Sequence, residues 1–571
     1  MEYMKLNFYD FIWKKFFKVE MINLFKKKIG AYFNSNFKSD LIAGIIVALI
    51  ALPLAIAFAV ASGARPEQGV YTSIIAGIVI GVLSGSNYQV SGPTGAFIVI
   101  LLGIVNKFGL EGLMMAGFMA GVILILMGVF QVGSVIKYIP YPVTIGFTAG
   151  IGVIIFTGQI KDFFGLQFPH RPHDFIENIK EIFQAFPESI NVGSFFVALF
   201  TLIVFILCRN FAKHVPAPPV ALLAGTILSL FIHRLSGNLI SAPTLLGEIP
   251  AGLPEFKMLS FSFENMRLLL PSAFTIAALG AIESLLSAVV ADGMTGTKHN
   301  SNKELIAQGA GNLILPFFGA IPATGAIART AANIKNGAKT RGAAIIHGIV
   351  LIFILLVAAP YAKFIPLAAL SAILMTVAYY MSEIPHFTHL LKSPRYDVAV
   401  LLTTFFLTIL VDLTFAVAIG MILASVLFIK TVSKLSVNKI LEDSDVPTEG
   451  SQKLHESVRN LEKITLYEVA GPLFFGIASE LENLIEHQNA EILILRMKHV
   501  HHIDASAIHN LEIIIDRVHK NHGKVYLATL NPSVRKALEK QKIIQKLGGD
   551  LYTPNSTTLA IEYAKKEQRK R

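Results

Sequence analysis

The sequence predicts a polytopic α-helical membrane protein of fourteen spans, arranged as a seven-plus-seven inverted repeat and followed by a small α/β domain. Three observations carry this reading. Of 571 residues, 53% are hydrophobic and 15% charged, and the mean hydropathy is +0.60, a balance no ordinary soluble protein of this size shows. Charge is unevenly spread: residues 40–430 hold 21 Lys/Arg and 17 Asp/Glu, whereas the two ends hold 28 and 21 in less than a third of the chain. That asymmetry separates a lipid-embedded body from wet ends. Finally, Ser91-Gly92-Pro93-Thr94-Gly95-Ala96-Phe97 and Ile321-Pro322-Ala323-Thr324-Gly325-Ala326-Ile327 resemble each other at an offset of 230 residues.

Residues 1–39 mix Phe, Trp and Lys and are too charged for the apolar core of a signal peptide. They read as a cytoplasmic amphipathic lead-in. From 40 to 430, apolar runs recur near 40–62, 69–85, 88–106, 110–131, 139–160, 192–210, 217–234, 269–291, 303–319, 321–335, 342–360, 364–381, 396–412 and 413–430. Lys and Arg in the short breaks place both ends of the chain on the cytoplasmic side of the membrane. Residues 431–459 form a polar linker. In 460–571, strand patterns at 463–469, 491–497 and 524–528 alternate with helical ones at 477–487, 505–521 and 532–541.

Several function classes fall away. The net charge of +11 is no nucleic-acid signal, because nearly half of it belongs to residues 1–39. One cysteine, Cys208, excludes a disulfide framework and a cysteine-built zinc site. The histidines at 499–502 fit no ligand spacing, so no metal or cofactor is expected. With no Walker loop, dinucleotide fingerprint or nucleophile elbow, neither an enzyme nor an ATP-driven pump is expected.

The repeat locates the site. Each copy leads from a short extended piece into a helix-compatible run, the interrupted-span pattern of inverted-repeat transporters. Seven spans per half turn the second copy over in the membrane, so two helix N-termini face each other with free N–H groups and positive dipole ends. That geometry suits an anion; the rival is a pair of interrupted core helices without a ligand. Arg329 lies seven residues after Pro322, about 10 Å along a helix, and can reach back to bind an oxyanion. Glu283 is embedded in span 8, opposite Pro53 of span 1 under the repeat offset. It either takes up a coupling proton or sodium ion or neutralises Arg329. Ser284 and Ser287 add hydroxyls to the same helix, Ser287 being assigned with Glu283 to the cation site, although small polar residues in spans are more often packing contacts.

The runs Pro53-Leu54-Ala55-Ile56-Ala57-Phe58-Ala59, Ser91-Gly92-Pro93-Thr94, Gly280-Ala281-Ile282-Glu283-Ser284-Leu285-Leu286 and Ile321 to Asn333 together resemble the SulP sulfate-permease family. Ile503-Asp504-Ala505-Ser506-Ala507 resembles the strand-to-helix turn of its STAS domain. The resemblance implies a core (spans 1–4 and 8–11) moving against a gate (5–7 and 12–14), with the protein acting as a homodimer. It implies an anion site lined by Phe58, by the backbone around Thr94, Gly95 and Ala96, and by Thr324, Gly325, Ala326, Ile327 and Ala328, with Arg329 behind. Two departures remove polar side chains: Ala328 stands where many animal members have serine, and Leu54 where some have glutamine. Ser506 matches a phosphorylated position of anti-sigma-factor antagonists; as a helix-start residue beside Asp504 it needs no such role.

The reading is a secondary active transporter of a small anion, sulfate first, then bicarbonate or a C4-dicarboxylate, with H⁺ or Na⁺ symport and an elevator-like core. The alternatives are an uncoupled anion channel or exchanger and a membrane-anchored signalling protein whose STAS domain meets a cytoplasmic partner.

Overall fold

The structure, a computed structural model, describes residues 35–134, 139–169, 172, 174–187, 189–212, 215–235, 241–250, 252–259, 263–411, 413–433, 437–439, 464–474 and 491–569. The lead-in at 1–34, the helix expected at 477–487 and most of the linker lie outside these residues. The chain divides into two compact units, residues 1–421 and 422–571.

In the first unit, α1 (Phe37–Ala61) and α2 (Pro66–Leu83) form an antiparallel pair. Pro66 opens α2 at its first turn, where its missing N–H is no loss. A two-residue strand, β1 (Ser91–Gly92), follows, and a single turn (Gly95–Phe97) leads into α3 (Ile98–Val129). That long helix is two spans joined at Gly109, whose φ of 69° and ψ of −175° break the helical path. A residue with Cβ rarely adopts that conformation. Next come α4 (Tyr141–Phe164), α5 (Phe175–Ala185), α6 (Val192–Phe211) and α7 (Ala217–Leu235).

The second half runs α8 (Phe263–Thr295), α9 (Ser301–Ile314), β2 (Thr324–Gly325), α10 (Ile327–Lys335), α11 (Gly342–Ala362), α12 (Leu367–Met381), α13 (Ile384–Leu390), α14 (Arg395–Leu410) and α15 (Leu413–Ser433). Counting α3 twice and omitting the short α5 and α13, these helices give seven spans per half. Among the described residues nine helices are long and apolar enough to cross a membrane. The tenth span, expected as a helix over 321–335, is extended through Gly325 and helical only from Ile327. Span 8 is longer than its apolar run because the helix continues through Pro271, which neighbouring helices can tolerate.

Packing sorts the helices into two groups. In the first, α3 lies against α8 and α9, and α11 against α1 and α2; in the second, α4 lies against α12 and α14, and α6 against α7. Small residues permit this closeness: a Cβ added at Gly121 of α3 would stand 2.8 Å from the Gly309 carbonyl of α9.

The second unit holds a four-stranded sheet in the order β3 (Val437–Lys439), β4 (Ile464–Ala470), β5 (Ile492–His499), β6 (Lys524–Ala528). The last three strands are parallel and β3 is antiparallel. β3 corrects the boundary: residues 437–439 fall in the stretch read as linker, yet they pair with Tyr467–Val469. Their polarity hid them, as suits the edge strand of the sheet. Ile492 to Leu495 are all buried, the continuous apolar run of a strand covered on both faces. The helices are α16 (Ala505–Lys520), α17 (Pro532–Lys540), α18 (Ile543–Leu547) and α19 (Thr557–Gln568).

Candidate functional site: a two-stranded crossover between facing helix ends

The two repeat segments meet. β1 and β2 pair antiparallel, Ser91 opposite Gly325 and Gly92 opposite Thr324. Continued by one residue, that register sets Pro93 against Ala323, the pair made equivalent by the 230-residue offset. The local two-fold axis therefore passes through the crossover. On either side a helix begins, α3 by way of the turn at Gly95 and α10 at Ile327. Neither N-cap residue, Thr94 nor Ala326, makes a side-chain cap, so first-turn amides are left without intrahelical partners.

Not every expected amide is free. Gly325 N–H donates to Ser284 Oγ at 2.9 Å, and Ala326 N–H donates to the Val90 carbonyl at 3.0 Å. These two groups hold the crossover together, leaving Gly95, Ala96, Ile327 and Ala328 as the uncapped positions. Ile327 and Ala328 are exposed, whereas Thr94 to Ala96 and Thr324 to Ala326 are buried.

Glu283 reaches the axis from α8. Its Oε2 accepts hydrogen bonds from Thr94 Oγ1 at 2.8 Å and Thr324 Oγ1 at 3.0 Å, the two threonines that the repeat makes equivalent. Arg329 lies behind the ladder, 2% exposed. Its Nη2 donates to the Pro93 carbonyl at 2.9 Å and its Nη1 to Ser73 Oγ at 3.3 Å. Gly92 makes room for it, since a Cβ there would sit 2.2 Å from Nη1. Among the described residues no carboxylate stands within ion-pairing distance of Arg329, so Glu283 is not its contact partner.

Ser287 is placed differently from expectation. One turn beyond Glu283, its hydroxyl donates to Thr330 Oγ1 at 3.1 Å, which also accepts from Val90 N–H. It fastens α8 to α10, while the serine that meets the crossover is Ser284. Phe58 closes the other side: a Cβ on Gly95 would lie 3.6 Å from its ring, and 3.3 Å from Ile155 of α4 and Met381 of α12. The polar groups thus come from the first helix group, and the second presents apolar side chains.

Sequence reasoning missed a polar buttress. Asn312 of α9 clamps Ala323 on both sides, Nδ2 donating to its carbonyl and Oδ1 accepting from its N–H, each at 2.8 Å. Gln308 Nε2 donates to Ser91 Oγ at 2.8 Å and to Glu304 Oε1 at 2.9 Å. From α2, Thr72 Oγ1 donates to the Ile321 carbonyl and Gln68 Nε2 to that of Gly319. The available signal was the spacing of Glu304, Gln308 and Asn312, which puts three polar residues on one face of a membrane helix. In the second unit, Asp504 caps α16, accepting from Ala507 N–H at 2.8 Å, and Ser506 is exposed on its first turn.

The sequence pattern of the Sulfate permease family matches residues 37–404. The chain belongs to that family. Its members are membrane transporters of anions, and a STAS domain pattern covers residues 457–556. The chain is 42% identical over 529 residues to the putative sulfate transporter YvdB of Bacillus subtilis, covering 92% of this chain and 97% of that protein. It is 31% identical to the bicarbonate transporter BicA of Picosynechococcus, covering 90% and 92%. The transmembrane domain of a cyanobacterial BicA superposes with a TM-score of 0.59 at 31% identity, over 68% of this chain and 97% of that one. The murine anion transporter Slc26a9 superposes with a TM-score of 0.81 at 19% identity, over 93% and 92%, and shares the fold. The first helix group contains the spans expected to form the core (α1–α3 and α8–α11), and the second those expected to form the gate.

Proposed function

We propose that the protein is a secondary active transporter that imports a small oxyanion, sulfate first and bicarbonate or a C4-dicarboxylate next, together with H⁺ or Na⁺. The observation that carries the reading is the single Glu283 oxygen held by the hydroxyls of Thr94 and Thr324 at the mouths of two facing helices. A carboxylate there is stabilised by both dipole ends and both hydroxyls. Taking up a proton or sodium ion removes its negative charge and leaves the uncapped amides of α3 and α10, with Arg329 behind them, to attract an anion. Cation and anion then enter together. YvdB and BicA are named as sulfate and bicarbonate transporters, which supports an oxyanion cargo.

Because the polar groups sit on the core and the gate offers Ile155 and Met381, alternating access is an elevator-like shift of the core past an apolar surface. Both termini lie in the cytoplasm of a bacterium, the inner membrane holds the rest, and the protein works as a homodimer. Ser506 is the position at which a phosphoryl group would act on a cytoplasmic partner of the STAS domain.

The test is uptake by proteoliposomes of labelled sulfate, bicarbonate and a C4-dicarboxylate under imposed H⁺ or Na⁺ gradients. One gradient drives accumulation of one anion, and Glu283→Gln abolishes that dependence while the protein still binds the anion. Normal gradient-driven accumulation by Glu283→Gln overturns the coupling role.

A further inference from the structure

A second concentration of hydrogen-bond donors lies at one end of the core helices, in an open cleft of about 600 Å³. Four separate connections build it. Gly85 and Asn87 come from the link between α2 and β1, Ser134 from beyond α3, residues 298–302 from the link between α8 and α9 and the first turn of α9, and Arg341 from the start of α11. None of the crossover residues lines it.

Four side-chain acceptors in and beside the cleft, those of Asn300, Asn302, Asp292 and Glu304, are already engaged. Asn300 Oδ1 accepts from Lys303 N–H at 2.9 Å, and Asn302 Oδ1 accepts from Gly133 N–H at 3.1 Å. Asp292 accepts from His299 N–H at 3.0 Å and pairs with its ring Nδ1 at 2.7 Å. Glu304 accepts from Gly85 N–H at 2.7 Å, from Ser84 and from Gln308. The donors that line the cleft are the side-chain amides of Asn300 and Asn302, the Lys298 ammonium and the Arg341 guanidinium. Arg341 Nε is buried without a hydrogen-bond partner, and among the described residues neither cation has a carboxylate within ion-pairing distance. No carboxylate lines the cleft. The fourteen-residue helix α9 starts there and adds its positive end.

We propose that this cleft is a second anion site, separate from the crossover, for a tetrahedral oxyanion: sulfate, or the phosphate group of a regulator. Two cations and several amide donors, with no carboxylate in the lining, match a ligand whose surface is all acceptor oxygens. The site is also wired to the crossover. Gly85 N–H meets Glu304, Glu304 meets Gln308, and Gln308 meets Ser91, which pairs with Gly325. An anion held against Gly85 therefore acts on the same hydrogen-bond chain that positions β1.

The experiment measures binding of radiolabelled inorganic sulfate and inorganic phosphate to the full chain in lipid nanodiscs. Lys298→Gln with Arg341→Gln is expected to weaken oxyanion binding at the cleft by about tenfold or more while leaving the melting temperature near that of the unaltered protein. The same binding survives Arg329→Ala, which removes the transport site, so the two proposals fail separately. Phosphate binding at least tenfold tighter than sulfate identifies a phosphate-bearing regulator; equal affinities identify the transported type of anion at the entrance. Binding of both anions unchanged in the folded double variant, or absent from the unaltered protein, overturns the proposal.

Discussion

At the positions where the second half of the repeat places Glu304, Gln308, Asn312 and Arg329, the first half has Ile74, Ile78, Val82 and Val99. The first half answers with Gln68, Thr72 and Ser73 on α2, whose equivalents are Lys298, Asn302 and Lys303 at the other helix's exposed start. The two copies thus share a backbone, an extended crossover feeding a helix N-terminus, and differ in almost every polar side chain that supports it. Symmetry supplies the facing dipoles. Asymmetry supplies one buried positive charge on one side of the ladder and one carboxylate on the other, so the axis hosts one anion and one cation rather than two of either.

The largest effect expected from breaking this asymmetry is at Arg329. Its guanidinium makes two hydrogen bonds, to Pro93 and Ser73, and bonds to a charged group contribute about 1.5–3 kcal/mol each. Arg329→Ala should lower oxyanion uptake about 100-fold or more, while Val99→Ala, at the equivalent position, changes it about twofold at most. Comparable losses in the two would show that the charge is not the second half's own contribution.

Gly95 and Gly325 are equivalent, and their surroundings differ. A Cβ at Gly325 would stand 1.9 Å from Gln89 Nε2 and 3.1 Å from the Ser284 backbone, whereas at Gly95 the closest atoms are at 3.3 Å. Overpacking of the first kind costs about 1–3 kcal/mol. Gly325→Ala should therefore abolish most uptake and Gly95→Ala reduce it a few-fold, and Gln89→Ala should restore part of the loss in Gly325→Ala. Failure of that rescue in a folded protein would trace the loss to the crossover backbone instead of to Gln89.

These pairs also mark what was legible in the chain. Interrupted spans announce themselves, because proline and glycine are punctuation in any apolar run, so the breaks at Pro93 and Pro322 could be placed from residue order alone, whereas the helices themselves start further on, by way of Gly95 and at Ile327. Arg329 and Glu283 stood out because a charge inside a span is rare. The amides of Gly325 and Ala326 could not be sorted from those of Ile327 and Ala328, since which N–H is engaged depends on strand register and on Ser284 from a distant helix. Ser287 shares a helix with Glu283, and its position one turn further on turns its hydroxyl to Thr330 instead. Glu304 lies near the start of a span, and residue order does not connect it to Ser84 and Gly85, its partners more than two hundred positions away.

Asn312 tests the buttress through stability. Asn312→Leu orphans the Ala323 N–H and carbonyl together, two buried backbone groups at about 1–3 kcal/mol each. A fall of about 2–4 kcal/mol is expected, read from thermal unfolding in detergent, against little change for Val82→Leu at the equivalent place in the first half. Equal destabilisation would mean that both halves brace the crossover alike.

The finest test falls on the pair that the axis makes most alike. Thr94 and Thr324 donate to the same Glu283 oxygen, at 2.8 and 3.0 Å, and each hydroxyl also offers lone pairs to whatever cation the carboxylate holds. Removing either by Thr94→Val or Thr324→Val should raise the half-saturating concentration of the coupling cation by the same factor, about tenfold, the lower end for a bond to a charged group. Serine at either position keeps the hydroxyl and should leave uptake near its original rate. If only one valine variant shifts cation dependence, the carboxylate belongs to one half of the repeat, and the two-fold account of coupling is wrong even though the backbone ladder keeps its symmetry.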